Sequence, residues 1–182
     1  MKKIVIIGPE STGKSTLCSQ LAAHYHTYWV HEYARKYLLE NGTRYNFNDL
    51  LLIAKGQLSA EEQAAASLSA SHAAIEPFLF IDTDMYVMKV WCEVVFDNCH
   101  QYILDQIARR TYDLYLLCDT DLPWVKDELR EYPDLPARRK LFHMYQDILI
   151  NQHIPWVLIS GTHEERLQTG IRAVESLQTK ES

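Results

Sequence analysis

The feature that most constrains this chain is a glycine-rich stretch, GPESTGKST, at residues 8–16. It has the spacing Gly-x4-Gly-Lys-Ser, in which Gly8 is followed by Gly13, Lys14 and Ser15. An aliphatic run precedes it and a segment of helical period follows, which is the strand–loop–helix context that separates such a loop from chance matches. In that geometry consecutive backbone N–H groups surround phosphates at the positive end of a helix. The stretch therefore predicts a phosphate-binding P-loop.

Short apolar runs alternate along the chain with longer segments of helical period. Each run is strand-length and mostly apolar on both faces, as in a parallel sheet that is covered by helices on both sides. We therefore expect an α/β fold of three layers with a five-stranded parallel sheet, in a single domain over residues 1–182. The predicted strands cover residues 3–8, 28–32, 78–82, 112–119 and 155–160. The predicted helices cover residues 14–25, 33–41, 47–75, 84–97, 99–110, 137–151 and 163–177.

Charge and hydropathy exclude two classes of partner. The 182 residues carry a formal net charge of −6, so the chain has no general attraction for a nucleic acid. The apolar run at its start is too short for a signal peptide, and no run reaches the ~18 apolar residues of a membrane span. We expect a cytoplasmic protein that binds small molecules and neither nucleic acid nor membrane, and the sequence leaves its oligomeric state open.

The P-loop motif predicts the contacts to the phosphate donor. Lys14 is expected to reach the β- and γ-phosphates of ATP or GTP, and Ser15 is expected to ligate Mg²⁺. Glycines are needed because a side chain would block the approach of the phosphates. The residues expected to contact the nucleotide are Gly8, Glu10, Ser11, Thr12, Gly13, Lys14, Ser15 and Thr16.

Acidic side chains follow the predicted strands at the sheet edge where ligands of such folds bind. Asp82 ends a hydrophobic strand, which is typical of an acid that holds the P-loop magnesium. Asp84 either faces the phosphate acceptor or caps the next helix. Glu32 and Arg35 form either a surface ion pair or a base with an arginine that orients the acceptor. The second alternative depends on position, because we expect the strand that precedes Glu32 to lie beside the P-loop strand.

Residues 121–140 differ in composition from the rest of the chain, with three prolines and ten charged residues in twenty. Such a segment is typical of a lid that closes over a reaction and excludes water, although a solvated loop has the same composition. Arg130 could stabilise charge on the transferred phosphoryl group. Trp124 could either anchor the lid or stack on an aromatic ligand.

The stretches GPESTGKST, HEYAR, IDTD and CDTDLPWVKDELR, in this order, resemble the ribosylnicotinamide kinase domain of bifunctional bacterial NadR proteins. The resemblance implies a fold of the nucleoside and nucleotide kinase type and transfer of the γ-phosphate of ATP to the 5′-hydroxyl of nicotinamide riboside. It also implies a lid that contains Trp124, Asp127 and Arg130. We expect Glu32 to be the base and Asp82 the magnesium ligand, although the two roles could be exchanged.

The P-loop motif, the positions at the strand ends and the resemblance together assign roles to the candidate residues. Lys14, Glu32, Asp82 and Arg130 are expected to be catalytic, and Arg35, Asp84, Trp124 and Asp127 are expected to contact the acceptor together with Glu32. Because the chain begins at the P-loop strand, we expect neither an adenylyltransferase domain nor a DNA-binding helix-turn-helix. Two alternatives stay open: a kinase for a different nucleoside or nucleotide, and a regulatory NTP-binding module.

Overall fold

A computed structural model describes residues 1–70 and 77–178, and in this part of the chain a five-stranded parallel sheet is flanked by helices. Each of the five predicted strands is present, and the predicted α/β class is confirmed. The strands are β1 (Lys2–Ile7), β2 (Trp29–Val30), β3 (Phe78–Asp82), β4 (Leu114–Cys118) and β5 (Trp156–Ile159).

Seven helices accompany these strands within the described residues, and most of their ends differ from the predicted ones by one or two residues. They are α1 (Lys14–His24), α2 (Tyr33–Asn41), α3 (Phe47–Ala70), α4 (Met85–Phe96), α5 (Gln101–Arg109), α6 (Leu135–Ile150) and α7 (His163–Gln178). The alanine-rich segment is helical through Ala70, as its propensity predicts. Its predicted end at residue 75 lies outside the described residues.

The strand order across the sheet is β2-β3-β1-β4-β5. We expected β2 to lie beside the P-loop strand β1, and this prediction is wrong because β3 lies between them. The burial of the two strands explains the order: all five residues of β3 are buried, whereas β2 is short and is flanked by the exposed Tyr28 and His31. A fully buried strand suits the sheet interior, and a short, partly exposed one suits an edge.

Alternate residues of β1 enter different hydrophobic clusters. Ile4 and Ile6 pack with α1 and α7, and Val5 and Ile7 pack in a cluster that includes residues of α4 and α6. This two-residue alternation explains why residues 4–7 of the strand are all apolar, since both faces of the strand are covered there. None of the helices found in residues 1–70 and 77–178 combines the length and the apolar character that a membrane crossing requires.

The segment between β4 and α6, residues 119–134, contains no helix or strand. We call it the β4–α6 segment. It ends where the Asp134 side chain accepts a hydrogen bond from the Ala137 N–H and caps α6, with Pro136 in the first turn. Helix α6 therefore begins at Leu135, two residues before its predicted start, and residues 135–140 of the predicted lid are helical.

Candidate active site

The two motif glycines occupy backbone positions that other residues adopt poorly. Gly13, directly before α1, has φ 79°, and Gly8 has φ 146°. A Cβ on Gly8 would lie 2.7 Å from the Cys118 carbonyl oxygen. We expected glycine to be needed here because a side chain would block the phosphates. In the structure, the group that a side chain on Gly8 would meet first is the backbone at the end of β4.

The P-loop folds back on its own carbonyl groups. The Lys14 Nζ donates to the Pro9 carbonyl oxygen over 3.1 Å, and the buried Thr12 hydroxyl donates to the same oxygen over 2.7 Å. Because the Thr12 hydroxyl is used inside the loop, what Thr12 offers a phosphate is its backbone N–H. Ser15 and Thr16 are exposed at the start of α1.

Asp82 ends β3 directly beneath the P-loop. The Ser15 hydroxyl donates to its Oδ2 over 2.5 Å. Burial, and after it the nearby Glu32 carboxylate, raise the pKa of Asp82 to about 6, while Lys14 opposes the shift. A hydroxyl and a carboxylate oxygen at this separation are the hard oxygen ligands that Mg²⁺ prefers. In the described residues no three His, Cys, Asp or Glu side chains cluster as a metal site. A cation here would therefore complete its shell with phosphate oxygens and water.

Glu32 follows β2 and lies at the N-cap of α2. Its side chain does not cap the helix, so the carboxylate remains available to the cavity that it lines. The edge position of β2 places Glu32 after the strand that pairs with β3, and β3 ends in Asp82. The strand order that we failed to predict is thus what brings the two carboxylates together.

Arg35 and Asp127 line the same cavity and bind each other. The Arg35 guanidinium donates to both Asp127 carboxylate oxygens, at 3.0 and 3.3 Å, and Arg35 holds the pKa of Asp127 below its ordinary value. This bidentate pair joins α2 to the β4–α6 segment. Both residues are predicted to contact the acceptor, and in the structure each is bonded to the other.

The β4–α6 segment is held against the P-loop by Glu10. The Glu10 carboxylate accepts hydrogen bonds from the Glu131 N–H, the Tyr132 N–H and the Trp124 indole, at 2.9, 2.7 and 3.2 Å. The Ser11 hydroxyl accepts a further bond from the Val125 N–H. The side chains of Glu10 and Ser11 therefore bind this segment, and their backbone groups are what remain for a nucleotide.

Two predicted acceptor contacts lie outside the cavity. Trp124 anchors the β4–α6 segment through Glu10, which is one of its two predicted alternatives. Asp84 caps α4 by accepting from the Tyr86 and Val87 N–H groups, and it also accepts from the Tyr115 hydroxyl over 2.7 Å. The structure thus assigns Asp84 to the capping alternative, because its oxygens are buried and already bonded. Arg130 lines the cavity and donates to the Val125 carbonyl.

The cavity has a volume of about 950 Å³, within the range of small-molecule sites. The P-loop, Glu32 and Asp82 line it. Apolar side chains of helices α2 and α4 line it as well, and we call them the apolar wall. That wall consists of Ala34, Leu38, Leu39, Val87, Val90, Trp91 and Val94.

Three buried polar residues lie near the site, and motif reasoning missed two of them, Arg166 and Gln57. Arg166 of α7 donates to the Thr12, Asp119 and Gly161 carbonyl groups and to Asp121. Gln57 of α3 bonds to the backbone beside Glu32 and Asp82. Arg138 of α6 is buried, and its Nε and Nη1 find no hydrogen-bond partner in the described part of the chain. Only Arg138 had a sequence signal, as one of the basic residues in the predicted lid.

A protein-family model described as "AAA domain" matches residues 3–166 of this chain. The trifunctional NAD biosynthesis/regulator protein NadR of Escherichia coli (strain K12) is 28% identical over 163 residues, which are 87% of this chain and 38% of NadR. The chain thus spans well under half the length of this curated relative.

Solved structures give the same picture of the fold. A NadR protein in complex with NR matches with a TM-score of 0.72 and 22% identity, over 97% of this chain and 49% of that one. A deoxyadenosine kinase from M. mycoides, with products dCMP and dCDP, matches with a TM-score of 0.66 and 13% identity, over 96% and 99% of the two chains. The similarity to NadR that the motifs predict is confirmed, and so is the P-loop kinase type of fold.

Proposed function

The chain belongs to the AAA domain family, and we propose that it is an ATP-dependent kinase that phosphorylates the 5′-hydroxyl of nicotinamide riboside. The observation that carries the proposal is one cavity in which Lys14, Ser15, Asp82 and Glu32 lie together beside an apolar wall. A donor site, two carboxylates and a space for an acceptor are the parts that phosphoryl transfer requires.

The part of the cavity that the P-loop lines is the proposed ATP site. The backbone N–H groups around Gly13 and the start of α1 suit the phosphates, and Lys14 would exchange the Pro9 carbonyl for phosphate oxygens. Ser15 and Asp82 would hold Mg²⁺, which supplies positive charge to the phosphates during transfer. The buried guanidinium of Arg138, one and two turns from the cavity residues Leu141 and Tyr145 on α6, is a further candidate for binding phosphate oxygens.

Glu32 is the proposed base. Asp82 is bonded to Ser15, whereas the Glu32 carboxylate faces the cavity without capping its helix. Glu32 would accept the proton of the acceptor hydroxyl as that oxygen bonds to the γ-phosphorus. The bond between the γ-phosphorus and the oxygen that bridges it to the β-phosphorus breaks in the same step, and ADP leaves with the bridging oxygen.

The apolar wall is the proposed site for the acceptor's ring. Trp91, Leu38 and Val90 offer a surface for a flat aromatic group, and Glu32 and Glu131 add negative charge around the same cavity. Nicotinamide riboside carries a positively charged pyridinium ring, which favours aromatic and acidic surroundings. The structural similarity to a NadR protein bound to NR supports this choice.

A kinase for another nucleoside is the second candidate. The similarity to deoxyadenosine kinase, over nearly the whole of both chains, favours it. The two readings differ in the acceptor and share the donor site, so one assay separates them. For a purely regulatory NTP-binding module, the second carboxylate and the apolar wall would have no use.

The test is a panel assay with ATP and Mg²⁺. Nicotinamide riboside, the common ribonucleosides and deoxyribonucleosides, and no acceptor are compared by following both ADP and the phosphorylated product. We expect product from nicotinamide riboside far above the other acceptors, and no product with Lys14→Ala. Selective product from another nucleoside would move the assignment to that nucleoside, and ADP without any phosphorylated product would refute the kinase.

A further inference from the structure

Gln57 is a buried residue of α3 that bonds to the backbone next to both carboxylates of the site. Its Oε1 accepts from the Tyr33 N–H over 2.7 Å, and its Nε2 donates to the Asp82 and Thr83 carbonyl oxygens over 3.2 and 3.0 Å. The partners fix the orientation of the amide, because an N–H can bond only to its oxygen and the carbonyls only to its nitrogen. Each polar atom of the Gln57 side chain is thus bonded to the site's backbone.

The backbone on the Asp82 side is in an unusual conformation. Thr83 has φ 76°, a left-handed value that β-branched residues rarely adopt. Its N–H bonds to the Ile6 carbonyl and its carbonyl bonds to Gln57. Such a conformation persists only where the surroundings hold it, and Gln57 supplies one of these two bonds. The direction in which the chain leaves Asp82 therefore depends on Gln57.

The backbone on the Glu32 side is held at two points by the same part of α3. The Tyr33 N–H bonds to Gln57, and the Tyr33 ring packs on the neighbouring Gly56, where an added Cβ would lie 2.1 Å from the ring. Tyr33 directly follows Glu32 and begins α2. The start of α2, and with it Glu32, is therefore located by contact with α3.

We propose that Gln57 is a positioning residue that sets the separation between the Glu32 and Asp82 carboxylates. It touches neither the donor nor the acceptor, and it acts by tying the peptide after Glu32 to the turn after Asp82. This inference rests on the proposed kinase function, because a fixed separation matters only if one carboxylate handles the acceptor's proton while the other holds the donor side. Displacements of about 1 Å at such a site reduce turnover by about a hundredfold.

The test compares Gln57→Met and Gln57→Glu with a control on the same helix, Gln63→Met. Methionine keeps the length of the side chain and removes all three hydrogen bonds. Glutamate keeps an oxygen for the Tyr33 N–H and, buried and protonated, has at most one O–H for the two carbonyl oxygens, so it weakens the hydrogen bonding at nearly constant volume. Gln63 is exposed, and its side chain bonds only to Ser59 within α3 among the described residues.

The first measurement is the distance between the Glu32 and Asp82 carboxyl carbons in crystal structures of the free proteins. We expect an altered distance in both Gln57 variants and the wild-type distance in Gln63→Met. The second is kinetics at a temperature at which circular dichroism shows all four proteins to be folded. We expect kcat to fall about tenfold to a hundredfold in the Gln57 variants while KM for ATP stays within about twofold.

An unchanged carboxyl separation in Gln57→Met would overturn the proposal, as would equal losses in kcat and in affinity for ATP. If the wild-type protein phosphorylates no acceptor, the kinase function fails. The distances still decide in that case whether Gln57 positions the two carboxylates.

Discussion

Three acidic residues lie at or after the ends of the neighbouring strands β2 and β3, and their surroundings suit them to different roles. Asp82 is buried and bonded to the Ser15 hydroxyl, Asp84 is buried and caps α4, and Glu32 lines the cavity without capping its own helix. A carboxylate whose oxygens are bonded to its own protein is poorly placed to accept a substrate proton. Glu32 is therefore the best-placed of the three to act as a base.

Replacing Glu32 with glutamine is expected to lower kcat by about a hundredfold or more, because general bases contribute at that scale. KM for ATP should stay nearly unchanged, since the P-loop contacts are untouched. Asp82→Asn is the matched variant, and it should raise the Mg²⁺ concentration that half-saturates the enzyme. Steady-state kinetics with varied acceptor, ATP and Mg²⁺ measure all of these. If the Mg²⁺ effect follows Glu32→Gln and the loss of kcat follows Asp82→Asn, the two roles are exchanged.

Asp84 should make the protein less stable as the pH rises through the weakly acidic range. Burial raises the pKa of Asp84 to about 6, whereas an aspartate in the unfolded chain titrates near about 3.9. Between these values the folded state binds more protons than the unfolded state, so the free energy of unfolding falls with rising pH. One carboxyl contributes a slope of at most about 1.4 kcal/mol per pH unit.

Asparagine in place of Asp84 removes this slope, because its amide does not titrate and its oxygen still accepts from the N–H groups of α4. Urea unfolding of wild type and Asp84→Asn from pH 4 to 7 measures it. The variant should gain stability relative to wild type as the pH rises to about 6. Parallel curves would show that Asp84 does not titrate in this range.

At the scale of elements, the β4–α6 segment is attached to the rest of the site by polar contacts to Glu10, Ser11 and Arg35. Such contacts can be broken and re-formed without unfolding a core, which is the property of segments that open locally. Glu10 makes the most of these contacts, because its carboxylate accepts hydrogen bonds from two backbone N–H groups and an indole.

Glu10→Ala should therefore expose the β4–α6 segment to protease. Hydrogen bonds to a charged group are worth about 1.5–3 kcal/mol, so local opening should increase about tenfold or more. Trypsin cleavage after Lys126 and Arg130, followed by mass spectrometry, measures the change. Glu164→Ala is the control, since Glu164 is exposed and bonds to Gln168 on its own helix. Equal cleavage rates in the two variants would show that Glu10 does not hold the segment.

The sequence predicts where strands and helices lie along the chain better than it predicts which of them are adjacent in the fold. The apolar runs and helical periods located every strand and helix of the described chain, because these signals are local. The position of β2 at the sheet edge depends on pairing between distant segments, which no local pattern encodes. The same holds for Trp124 and Asp84, whose types and positions in the sequence fit a contact to the acceptor. Only the tertiary structure shows that the Trp124 indole is bonded to Glu10 and that the Asp84 carboxylate caps α4.

At the scale of the whole molecule, the site depends on a helix that carries none of its predicted residues. Arg166 of α7 is buried and bonds to the P-loop carbonyl of Thr12, to the carbonyl of Asp119 after β4 and to that of Gly161 after β5. The carboxylate of Asp121 balances its charge. One side chain thus joins the donor loop to the ends of two further strands. Arg166 lies far along the chain from the P-loop, so no motif spacing indicated it.

Replacing Arg166 with methionine should therefore affect both stability and nucleotide binding. The variant loses three hydrogen bonds to backbone carbonyl groups and an ion pair whose arginine is buried and whose aspartate is partly exposed, which together should cost about 3 kcal/mol in the free energy of unfolding. A bound ligand stabilises the folded state by an amount that grows with the logarithm of its concentration relative to its Kd, so ATP should raise the unfolding midpoint of wild type more than that of the variant. Urea unfolding with and without ATP measures both effects.

Arg172→Met is the matched control, because Arg172 is exposed on the same helix and bonds to Thr169. If both variants lose the same stability and keep the same response to ATP, Arg166 has no role in linking the P-loop to the sheet; a loss confined to Arg166→Met would place the control of P-loop geometry in α7.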